Sequence, residues 1–180
     1  MTANPASGAC QNSNVTLSAT GYTGGCDVSF TWQSSLDGIT WNDMLGCNFA
    51  IPTVVTPTVS PTYYRLEAFC SSSGLYGYSN ELMLDILTAP VNDLPCDAIP
   101  IAIGGIEYGD NSCSSALTES GAATCWDSGT LNTVWYSFVA PASGSVKIKT
   151  QPGGLTQTQI AVYGGNCSSL TQIACNDDML

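Results

Sequence analysis

Nine cysteines are the most reactive side chains of this chain: Cys10, Cys26, Cys47, Cys70, Cys96, Cys113, Cys125, Cys167 and Cys175. Three kinds of chemistry are open to them: metal binding, thiol redox and cross-linking. No histidine accompanies them and no CxxC pair occurs, which disfavours zinc. Disulfides in an oxidising compartment are the better reading. The lack of histidine also removes the base that Ser-His-Asp and Cys-His nucleophiles need. The carboxylates are spread along turns, and no pair aligns as glycoside hydrolysis requires. The stretches "IGGIEYG" and "YGGN" lack the strand-to-helix context and the Lys-Ser/Thr of a phosphate loop. The expectation is a chain that is not an enzyme.

Oxygen donors and aromatics offer binding rather than catalysis. Hard cations take carboxylate, amide and carbonyl oxygens at turns. The calcium candidates are Asn92, Asp93 and Asp110, with Asn176, Asp177 and Asp178 in the final "CNDD". Asp97 and Asn111 lie beside them. Asn and Asp also simply form turns, and the spacing is not that of an EF-hand. The cofactor expectation is therefore none, or structural calcium. Trp41, Tyr76, Tyr78, Tyr108 and Trp126 lie near turns and could stack on a sugar ring. Filling the rims of small cores is the favoured reading for them.

The charge balance narrows the partners. Three basic residues against fourteen acidic ones leave a net charge of −11, which excludes the phosphate neutralisation of nucleic-acid binding and docking on anionic lipid. With only 9% charged residues and 44% hydrophobic ones, the chain is no disordered acidic tail. Gly, Ser, Thr and Asn fill much of the rest, a composition of turn-rich extracellular all-β proteins. No run approaches the roughly 18 apolar residues that span a bilayer. The start, "MTANPASGAC", has no signal-peptide pattern, so an exported protein would be represented here by a fragment or a mature form.

The elements that must position these residues are strands. Val15, Leu17 and Ala19 share one face of "NVTLSA", and Val28, Phe30 and Trp32 point inward from "VSFTW". Tyr64, Leu66, Ala68 and Cys70 share a face of "YYRLEAFC", as do Leu82, Leu84 and Ile86 of "ELMLDI". Asp37-Gly38 marks a hairpin turn. "ILTAPVNDLPC" reads as a linker, giving a first module over residues 1–88, a linker over 89–95 and a second module over 96–180. In the second, Val146 and Ile148 of "GSVKIKT" are expected inward with Lys147 and Lys149 outward, and "QIAVYGG" is expected as a strand. Short strands with turn punctuation predict two consecutive disulfide-stabilised β-sandwiches.

Residues 8–88 resemble the immunoglobulin-like modules of secreted, multidomain surface proteins of Bacteroidetes-type bacteria. The resemblance rests on Cys10 before "VTL", on "FTWQSSLDGITW", "SPTYYRLEAFC" and "YSNELMLDI". It implies a buried Trp32 and the pairs Cys10–Cys70 and Cys26–Cys47. Ala68 stands where a tyrosine corner would have Tyr. Residues 92–178 resemble the bacterial pre-peptidase C-terminal (PPC) domain through "NDLPCDAIPI", "NTVWYSFVAPASGSVKIKT" and "IAVYGGNCSSLTQIACNDD". Calcium binding by related domains of secreted collagenases supports the calcium candidates. Gln157 stands near a position where that family commonly has Asp, which weakens them.

Cysteine parity adds an expectation. The first half holds four and the second five. Cys167 and Cys175 bracket "SSLTQIA", suited to a turn between strands, and are expected to pair. Two of Cys96, Cys113 and Cys125 pair, leaving one free, joined to another chain or without its partner. The PPC-like module is expected to be incomplete after "CNDDML", which would leave an edge open to a strand from another copy. The resemblances imply a non-catalytic structural and adhesion piece of an exported, cell-surface or filament-forming protein. Its partners would be other modules or copies of the same protein, or a glycan or host surface, with no nucleic acid and no membrane insertion. The competing readings are a carbohydrate-binding region of a secreted hydrolase and an ancillary domain of a protease.

Overall fold

The computed structural model describes residues 1–23, 25, 27–44, 52–115, 123–126, 132–151, 153–155 and 157–177. Its chain is all-β and divides into two compact units, residues 1–88 and 89–180.

The strands of the first unit are β1 (Thr2–Asn4), β2 (Ala9–Cys10), β3 (Val15–Ser18), β4 (Val28–Ser35), β5 (Asn42–Asp43), β6 (Thr53–Val55), β7 (Thr62–Cys70), β8 (Leu75–Tyr78), β9 (Leu82–Leu84) and β10 (Ile86–Leu87). One antiparallel sheet runs β1-β3-β6 and a second runs β5-β4-β7-β8, with β9 also on β7. Alternation puts one side of each strand inward. Val15 and Leu17 from the first sheet and Trp32 from the second are fully buried, and Tyr64, Leu66, Leu84 and Ile86 close around them. Both sheets feed one core, so the unit is a sandwich. β10 runs parallel to β2, with Ile86 opposite Ala9.

The long β7 organises the second sheet. β4 lies along one edge from Val28↔Cys70 to Ser35↔Tyr63. β8 and β9 share the other edge. The chain breaks strand geometry between them, and Ser79 maintains the ladder. Its N–H donates to the Leu66 carbonyl at 2.9 Å, and its hydroxyl accepts the Leu66 N–H at 2.9 Å.

The second unit has fewer paired strands. A short 3-10 turn, Pro95–Asp97, precedes β11 (Ile99–Pro100), which runs parallel to β12 (Tyr136–Ser137). β13 (Ile160–Asn166) and β14 (Ser169–Asn176) form a hairpin with a bulge after Val162. Gly165, at φ +118, is required at its turn because a Cβ there would run into the Ser169 backbone. Disulfides join Cys96 to Cys167 and Cys125 to Cys175. Ala123 is the only buried apolar residue of this unit among the described residues.

Several expectations change. Cys167 lies at the tip of the β13–β14 hairpin, whereas Cys175 lies near the other end, opposite Ala161. The six strand steps from Ser169 to Cys175 alone span about 20 Å, far beyond the reach of a disulfide, so each bonds across the unit instead. Cys96, Cys113 and Cys125 are all oxidised, so the unpaired thiol is not among them. Cys10 is also oxidised, but Cys70 is a free thiol. Cys10 sits beside Leu87, near the start of β7, and Cys70 ends that strand. The expected Cys10–Cys70 bond would have to span the length of the sheet. Cys26 and Cys47 lie outside the described residues. Val146 and Ile148 are each 41% exposed, in a segment without strand pairing. Asn92, read as linker, is built into the second unit: it is buried and exchanges two hydrogen bonds with Trp135.

Candidate functional site

The most organised polar group lies on the outer face of the second sheet of the first unit. Inward Trp32, Tyr64 and Leu66 force the intervening Gln33, Arg65 and Glu67 outward. Register then sets them together: Gln33 faces Arg65 on one side and Asp43 on the other, and Glu67 faces Tyr78. Arg65 Nε donates to Gln33 Oε1 at 2.7 Å. The Gln33 amide donates to Asp43 at 2.8 Å and to Glu67 at 3.1 Å. Gln33 is 7% exposed and spends its amide group on these three bonds, so it is a strut.

Two rings complete the arrangement. The Arg65 guanidinium carbon lies 4.2 Å from the Trp41 ring centroid and 4.2 Å from that of Tyr78. Trp41 precedes β5 and Tyr78 ends β8, so the rings approach from opposite sides of β7. Each contact stabilises the cation by roughly 0.5–2 kcal/mol. Together they hold the guanidinium flat. No carboxylate among the described residues pairs with its terminal amino groups. Arg65 is also the sole Lys or Arg in residues 1–88.

The loop between β4 and β5 is built around Asp37, which accepts the N–H groups of Ile39 at 2.8 Å and Thr40 at 2.7 Å and the Ser35 hydroxyl at 2.8 Å. Gly38 adopts φ +69 there, a conformation that glycine tolerates. The Thr40 N–H above all, then the other donors, hold the Asp37 carboxyl well below the usual range. This loop brings the chain back to place Trp41 on Arg65.

The free Cys70 thiol is brought down to about 7, first by the Ser72 hydroxyl and then by Ser73. No histidine exists in the chain to form a nucleophile–base pair with it. A cleft of about 460 Å³ near Val54–Val59 is lined by aliphatic, proline, hydroxyl and Tyr64 side chains, without a charged group.

The calcium candidates are engaged separately. The Asn92 amide donates to the Trp135 carbonyl, Asp93 accepts the Ser115 N–H at 2.7 Å, and Asp110 accepts the Ser112 N–H at 2.8 Å. Ser112, by hydroxyl and N–H, lowers the Asp110 pKa. Asp177 accepts from Gln159, β14 ends at Asn176, and Asp178 lies outside the described residues. No group of three or more His, Cys, Asp or Glu suited to a metal occurs among the described residues.

Of the aromatic candidates, the structure brings Trp41 and Tyr78 together through Arg65. Tyr76 packs on Phe69 at 4.7 Å, Tyr108 is 94% exposed, and the Trp126 Nε1 is buried. Sequence reasoning missed Gln33, Asp43, Arg65 and Glu67. A signal was available: a lone arginine at an outward position of a strand, two residues before a glutamate.

The disulfides mark a non-reducing environment. Among the described residues no helix is long and apolar enough to cross a membrane. No family model, no curated protein and no solved structure matches the chain.

Proposed function

We propose that the chain is a non-catalytic structural and adhesion piece of a secreted, cell-surface protein, with an immunoglobulin-like sandwich followed by a PPC-like one. The oxidised state of Cys10, Cys96, Cys113, Cys125, Cys167 and Cys175 in an all-β chain carries this reading. Cross-links of this density belong outside the reducing cytosol, and stable β-modules suit load-bearing or display. The immunoglobulin-like reading is supported by the order β5-β4-β7-β8, the parallel β2–β10 edge and a Trp32 that is wholly buried on β4. The PPC-like reading rests on its sequence resemblance. The full absence of histidine and the scattered acids support a chain without catalysis.

The test is location and redox state in the native cell. Antibody against the chain should label intact cells or extracellular fibres. Alkylation before lysis should leave Cys96, Cys125, Cys167 and Cys175 unmodified. Recovery in the cytosol with these thiols reduced would overturn the reading.

A further inference from the structure

We propose that the Arg65 site binds a sugar carrying one carboxylate, such as a uronic acid residue. This deepens the adhesion reading, and rests on it only in supposing that glycans meet this face outside the cell. The guanidinium is held between Trp41 and Tyr78, each 4.2 Å away. Its Nε is occupied by Gln33. The terminal fork, the part whose planar geometry matches a carboxylate bidentately, has no acceptor among the described residues. Its rotamer entropy is already lost through folding, which lowers the cost of binding.

The surroundings narrow the ligand class. Asp43 and Glu67 sit in the same network, each held by Gln33. They repel a doubly charged phosphate or a dense polyanion, as does the net charge of −11. The same two carboxylates can accept hydrogen bonds from hydroxyl groups. A ligand with one negative charge surrounded by hydroxyl donors satisfies the cation and both acids together. A half-exposed Tyr78 and Trp41 supply flat apolar surface for the sugar C–H groups. An acidic peptide brings the carboxylate without the hydroxyls.

The whole chain would be titrated calorimetrically with an oligosaccharide ending in glucuronic acid, its methyl ester, the matching glucose oligosaccharide and an Asp-containing peptide. The free acid should bind about ten-fold or more tighter than the other three, the range expected for a charge-assisted pair. Inorganic phosphate should not compete. Arg65→Lys keeps the charge but loses the fork and should weaken acid binding about ten-fold. Equal binding of acid and ester, peptide binding as tight as the sugar acid, or no binding of the acid at millimolar concentration would each overturn the proposal. If Arg65→Lys does not fold, the acid–ester comparison on the native chain decides alone. Failure here leaves surface display, read by labelling intact cells, standing or falling separately.

Discussion

The two units hold themselves together differently. The first buries nine apolar side chains in one cluster that draws on both main sheets and on the β2–β10 pair. Among the described residues Ala123 is the second unit's only buried apolar side chain, and its strand pairs are β11–β12 and β13–β14. It carries the Cys96–Cys167 and Cys125–Cys175 disulfides, which close 71 and 50 residues of chain, and its Cys113 is oxidised as well, as Cys10 is in the first unit. The contrast is between burial, which favours the folded state directly, and cross-linking, which acts largely by restricting the unfolded chain. The difference bears on where function can be built. A rigid outer sheet face can preorganise Arg65, because β4 and β7, which carry Gln33, Arg65 and Glu67, are anchored in the core by Trp32, Tyr64 and Leu66. The hydrogen bonds of the second unit mostly serve its own turns and segment contacts.

Reduction should separate the units most sharply. The Cys96–Cys167 and Cys125–Cys175 disulfides are each expected to contribute about 4 kcal/mol from their loop lengths. A mild reductant should therefore abolish hydrogen-exchange protection across β13 and β14 while β3, β4 and β7 keep theirs. Simultaneous loss in both units would break the comparison. The converse experiment is Trp32→Ala. Removing that fully buried ring should cost roughly 3–5 kcal/mol, confined to the first unit. The readout is regional exchange or a denaturant melt followed unit by unit.

Asp37 sharpens the picture at a smaller scale. Its folded-state pKa lies below the ordinary 3.8, because the charged form accepts the Thr40 and Ile39 N–H groups. Its contribution is therefore present above that ordinary value and is lost as pH falls towards the folded value. Asp37→Asn should lower the melting temperature of the first unit at neutral pH, and the deficit should narrow as pH drops below about 4. A deficit that stays constant down to acid pH would refute the charge assignment. Cys70 should have the smallest effect on stability. Blocking this half-buried thiol with a maleimide should change stability by no more than about 0.5 kcal/mol. Its reaction rate should rise through a midpoint near 7, and Ser72→Ala should shift that midpoint upward.

The hydrophobic alternation was legible. Val15 and Leu17, Tyr64 and Leu66, and Leu84 and Ile86 point inward as their two-residue period requires. The same rule failed at Val146 and Ile148, where among the described residues no strand pairs with the segment and both side chains stay 41% exposed. The candidate site was half legible. Trp41 and Tyr78 stood out as aromatics near turns, but a flat ring in a sequence does not say what lies on it. Gln33 shows the limit well. A glutamine in a strand reads as solvent-facing, and only Arg65, Asp43 and Glu67 arriving from β7 and β5 make its burial affordable.

The amino-acid sequence alone determined the class of structure. Strand period, turn residues, the absence of histidine and the abundance of cysteine each act locally or through composition, so each is readable without a fold. Tertiary structure alone decided which cysteines meet, which thiol stays free, and which side chains gather around Arg65. Those outcomes depend on register and strand order, which bring together residues tens of positions apart. A disulfide or a cation between two rings tolerates errors of only an ångström or two, and no spacing along the chain contains that information.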